Sequence, residues 1–94
     1  MNEYEEIIQQ KGLPEVGQVV RSKTYGTLWR AMEKREVWQN IELDPKTGKS
    51  CMVQAIYLIY WRQKDGVQPG VGRMLGYFYT LYDNTFEANW EIAA

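Results

Sequence analysis

The chain has 94 residues, 45% hydrophobic and 24% charged, with a formal net charge of −1. This is the length of one domain, residues 1–94, with one core, and the composition excludes disorder and collagen-like structure. A single cysteine and no histidine exclude an intrachain disulfide, a thiol-only metal site, the commonest general base and the usual pH switch.

Residues 2–11 are predicted to form a helix. Asn2 can cap its first turn while Glu5 reaches back, and Glu3, Glu5 and Glu6 suit the positive end of the dipole. Tyr4, Ile7 and Ile8 share one face for docking. Gly12 suits a left-handed C-terminal position, and Pro14 prevents continuation. The acidic start does not resemble a secretory signal, and no apolar run approaches the roughly 20 residues of a membrane span. A cytoplasmic protein that does not enter the membrane is the expectation.

Antiparallel β structure is predicted over 16–92. Val16 to Ser22 reads as a first strand, and Lys23-Thr24-Tyr25-Gly26 as a turn. Residues 27–35 carry both patterns, because Ala31 to Glu36 favour a helix by propensity while Leu28, Arg30 and Met32 alternate with Trp29 and Ala31. Asp44-Pro45-Lys46-Thr47-Gly48-Lys49 decides for strand at 36–43, since a hairpin turn needs a strand on each side. The same logic extends to 27–33. Residues 52–62 form the most apolar run, suited to a central strand covered on both faces. A turn at Gln63–Gly66 and a loop through Pro69 to Gly72 follow. Arg73 to Tyr82 reads as a strand, Asp83-Asn84 as a turn, and Thr85 to Ile92 as a half-buried strand with Phe86, Ala88, Trp90 and Ile92 facing inward.

The sum is a mainly β (α+β by strict count) fold: a short N-terminal helix and five or six antiparallel strands. The strands form a strongly bent sheet or partly open small barrel, SH3-like in general shape. The alternative is a flatter antiparallel sheet with the helix packed on one face.

Groups able to do chemistry are sparse, and no catalytic residue, metal ligand set or cofactor site is predicted. Cys51 has only Lys49 nearby to activate it and reads as a small hydrophobe. Glu42 with Asp44, and Glu87 with Glu91, read as solvated acids rather than a glycosidase pair. Gly70-Val71-Gly72 neither follows a strand nor opens a helix, as a phosphate cradle must.

Aromatic residues are the distinctive set, with four Trp, seven Tyr and two Phe. A small sheet has few interior positions, so some rings must meet solvent, the helix or a partner. Charge is uneven as well: residues 21–73 hold ten Lys/Arg against five Asp/Glu, between acidic ends. Rings flanked by arginine are typical of binding hot spots. The expectation is a non-enzymatic binding, adaptor or inhibitor-type protein acting on a protein partner or on a second copy as a homodimer. Its predicted contact set is Tyr25, Trp29, Arg30, Trp38, Tyr60, Arg62 and Tyr79. The alternatives are a small nucleic-acid-binding β-barrel, which the mild acidity disfavours, and a histidine-free enzyme.

Overall fold

A computed structural model describes residues 2–43, 46–64, 72–82 and 85–93. Helix α1 (Glu3–Lys11) forms as its sequence dictates. Asn2 Oδ1 accepts from the Glu5 N–H at 2.9 Å, and Gly12 closes the helix at φ 62°, its N–H donating to Gln9 O and Ile8 O. So short a helix is marginal alone, and Ile7, fully buried, docks it on the sheet.

The strands β1 (Val19–Ser22), β2 (Leu28–Leu43), β3 (Ser50–Arg62), β4 (Met74–Tyr79) and β5 (Trp90–Ile92) form one antiparallel sheet in the order β4-β3-β2-β1-β5. The ambiguous 27–35 stretch is strand, continuous with 36–43. Its helix-forming residues are overridden by pairing with β3 along nearly the whole length, from Trp29↔Arg62 to Leu43↔Ser50. A register shift between Ala31 and Glu33 makes Met32 an extra residue. Trp29, Ala31, Lys34, Glu36 and Trp38 consequently all lie on the face that carries Ile56, Leu58 and Tyr60.

That face is concave. Along a flat sheet, β3 and β5 lie three strand spacings apart, about 14 Å. Yet the Tyr60 and Trp90 rings stack with centroids 4.9 Å apart, and Tyr77 of β4 meets Trp90 edge-on at 5.8 Å. The sheet is therefore rolled, but not closed into a barrel: among the described residues β4 and β5 do not pair. Both run in the same direction, so the connection between them must return the length of a strand. Part of that return is a second helix, α2 (Thr85–Asn89), whose buried Phe86 meets Tyr79 edge-on at 6.0 Å.

This corrects the strand expected over Thr85 to Ile92, of which only Trp90–Ile92 is strand. Phe86 and Trp90 are buried as expected, but Ala88 is exposed and Ile92 is 48% exposed. Phe86 and Trp90 are four residues apart, a spacing in phase with both a strand and a helix, so their pattern does not separate the two. Two further strands are shorter than predicted. Val16 to Gln18 form a turn held by the Gln18 N–H on Glu15 O, and β4 ends before Thr80, whose Oγ1 accepts from the Tyr82 N–H. The positions predicted as turn or loop at Asp44, Pro45, Asp65 to Val71, Asp83 and Asn84 lie outside the described residues.

Inside the roll, Trp29, Tyr60, Tyr79, Phe86 and Trp90 pack with Ile7, Val20, Ile56 and Leu58. Each such side chain contributes roughly 1.5–3 kcal/mol by leaving water. The β2–β3 hairpin runs on past this core. β1 pairs with β2 only over Leu28 to Arg30, and β4 pairs with β3 only over Ile56 to Trp61. The remainder is a two-stranded arm, which gives the molecule its 49 × 23 × 22 Å shape.

Candidate functional site

Because sheet neighbours are antiparallel, the ends of β1 and β3 and the starts of β2, β4 and β5 all lie at one end of the roll. At the opposite end Lys11 of α1 donates to Leu81 O, just past β4, and the helix covers that opening. The first end stays open as a cleft of about 960 Å³.

One wall of this mouth is the β1–β2 turn, with Thr24 and Tyr25. The turn forms because Gly26 takes φ 69° and the Ser22 hydroxyl accepts from the Tyr25 N–H at 3.2 Å. Its Lys23 N–H donates to Asn89 O, tying it to the end of α2. Tyr25 is 81% exposed, more than any other large apolar side chain among the described residues. Trp29, Tyr77 and Trp90 line the depth of the cleft, and the indole N–H of Trp29 donates to Thr27 Oγ1 at 2.9 Å.

The other wall is cationic. Arg62 ends β3 and Arg73 precedes β4, held together by the Arg62 N–H on Arg73 O; Lys64 stands beside them. The Arg62 guanidinium carbon lies 5.8 Å from the centroid of the Trp29 ring, within cation–π range. Its Nη1 is buried and has no hydrogen-bond partner. The described lining residues include no carboxylate, cysteine or histidine, so the lining supplies positive charge, hydroxyls and ring faces but no ordinary proton acceptor for catalysis.

The predicted contact residues fall into separate places. Tyr25, Trp29 and Arg62 meet at the mouth. Trp29 is only 5% exposed, so it supports Arg62 rather than offering its own face. Tyr60 and Tyr79 belong to the core beneath, both 0% exposed, one hydroxyl donating to the other at 2.8 Å. Burial pushes the Tyr60 phenol well above its ordinary range, and the bond to Tyr79 offsets only part of this. These two rings leave no surface for a partner. Arg30 lies on the convex face, where its guanidinium donates to Gly17 O and Gln63 Oε1. Trp38 stands on the arm, 62% exposed. Sequence reasoning missed Lys64, Arg73, Tyr77 and Trp90 as parts of one site. Lys64 and Arg73 flank a turn signal, which marks them for the end of a hairpin. Nothing in the pattern joins that end to the β1–β2 turn.

Among the described residues no group of three or more His, Cys, Asp or Glu could hold a metal ion, and no helix is long and apolar enough to cross a membrane. No protein-family model, curated protein or solved structure matches the chain.

Proposed function

We propose that the protein is a small non-enzymatic binding protein that engages a protein partner at the open mouth of its rolled sheet. The supporting observation is the convergence, in one concave site, of an 81% exposed tyrosine with an arginine whose buried Nη1 is unpaired. Tyr and Arg facing each other across a cleft are the residue types that anchor protein interfaces.

The test is a peptide-display selection on the immobilised protein. Ligands should be enriched whose binding falls at least about tenfold, roughly 1.4 kcal/mol, in the Tyr25→Ala and Thr24→Trp variants and persists in Trp38→Ala. A selection that enriches nothing, or ligands indifferent to the mouth variants, overturns the proposal.

A second reading, contact between two copies, is favoured by one feature of the arm. Trp38, Leu43 and Met52 are 62%, 61% and 55% exposed, a run of apolar surface that the body leaves bare. Sedimentation equilibrium checks it: a dimer that Trp38→Ser dissociates supports this reading, and a monomer at all concentrations ends it.

A further inference from the structure

We propose that the mouth selects its partner by charge: its occupant is an acidic segment of a protein, with a carboxylate seated on the guanidinium of Arg62 between Lys64 and Arg73. This rests on the reading of the mouth as the binding site and names the chemistry of the partner.

Lys46 and Lys49 stand exposed near the tip of the arm, while the body's cations outside the mouth are engaged by the fold. Arg21 pairs with Glu91, Lys34 with Glu15 and Arg35 with Glu33. Lys23 donates to Glu87 O, Lys11 to Leu81 O, and Arg30 to Gly17 O and Gln63 Oε1. The chain has twelve Asp/Glu to eleven Lys/Arg, so acids are available. Yet among the described residues no ion pair or hydrogen bond engages the side chains of Arg62, Lys64 and Arg73, and the described residues lining the cleft include no acid. With Nη1 buried and unpaired, the positive charge of Arg62 is poorly compensated within the fold, and a carboxylate at the guanidinium would offset it. The Arg62 guanidinium, 5.8 Å from the Trp29 ring centroid, is a planar fork whose geometry matches a carboxylate.

A protein acid suits this site better than nucleic acid. A phosphate backbone needs a track of cations, with exposed rings along it for the bases. Here the exposed ring at the mouth is Tyr25, Trp29 and Trp90 are buried, and Glu87 and Glu91 stand exposed on the neighbouring α2 and β5.

The experiment titrates the full chain, followed by tryptophan fluorescence, with a capped peptide of glutamates flanking one leucine, with its glutamine counterpart, and with an oligothymidine strand. The glutamate peptide should bind at least about tenfold more tightly than the glutamine one, and its affinity should fall as salt rises. Arg62→Gln and Arg73→Gln should each weaken it about tenfold, whereas Arg35→Gln on the convex face should not. Arg73 is exposed, so its variant remains informative even if Arg62→Gln disturbs folding. No binding of the glutamate peptide overturns the inference, as does tighter binding of oligothymidine. Equal binding of the two peptides, still weakened by Tyr25→Ala, overturns the charge inference alone and leaves the mouth as the binding site.

Discussion

Trp29 and Trp38 lie on one strand and on one face of it, yet the first is 5% exposed and the second 62%. The difference is the company each keeps. Trp29 sits where β1 and β3 flank β2 and the sheet rolls over, so Trp90 meets its edge at 6.1 Å. Trp38 sits where β2 has only β3 beside it, and no layer covers the indole. Body and arm thus share strands, pairing and residue types. For these two rings, burial is decided by the number of strands and by curvature, not by local pattern. An isolated two-stranded ribbon is marginal in water, so the body carries the stability and the arm borrows it.

Truncating the two tryptophans is the widest test of that contrast. Trp29→Ala should cost about 3–5 kcal/mol by opening a cavity among packed rings, and Trp38→Ala no more than about 0.5 kcal/mol, both read from denaturant midpoints at constant m-value. Similar losses would mean that the arm is buried in solution. The hydroxyl pair comes next. Tyr60→Phe removes the hydrogen bond between the two hydroxyls and should cost about 0.5–1.5 kcal/mol. Because burial raises the Tyr60 value above that of the unfolded chain, this group's contribution is intact below about pH 10. Above that, the unfolded chain ionises first, and stability falls as pH rises toward the folded value. Thermal unfolding followed from pH 8 to 11 should show the fall, shallower in Tyr60→Phe. On the convex face, Gly76 lies under the Tyr57 ring, and a Cβ there would come within 2.1 Å of the Tyr57 hydroxyl oxygen. Gly76→Ala should cost about 1 kcal/mol, since Tyr57 must leave its stack on Phe78, with centroids now 4.5 Å apart. The finest contrast is in hydrogen exchange: amides of Val37 to Gln39 should exchange faster than those of Leu58 to Tyr60, by local opening of the arm. Uniform protection along β3 would erase the distinction.

The sequence read well where the determinants are local. Asn2 with Glu5, then Gly12 and Pro14, define α1 within its own residues. Pairing on both sides of Gly48, at φ 70°, makes the long hairpin. It read poorly where distant parts decide. The four-residue step from Phe86 to Trp90 fits both periods. The one local hint of a helix, Asn84 three residues before Glu87, repeats the Asn2–Glu5 spacing and was available. The extra residue at Met32 reverses the parity of β2, so alternation counted from Trp29 puts Trp38 on the wrong face. The mouth is assembled from the ends of five strands, and only the roll of the sheet brings Arg62 and Arg73 opposite Tyr25. The expectation that the chain has more rings than it can hide holds for Tyr25, Trp38, Phe78 and Tyr82, exposed by 43% or more. It does not hold for Tyr60 and Tyr79.

β1 is held between β2 and β5, with Val20 opposite both Trp29 and Ile92. During synthesis Val20 must therefore wait for Ile92, 72 residues later. A nascent chain stopped short of Trp90 can zip the β2–β3 ribbon, but it leaves one margin of β1 open and the indole that roofs Tyr60 missing. Closure of the roll is thus a late, long-range step that follows the local hairpin.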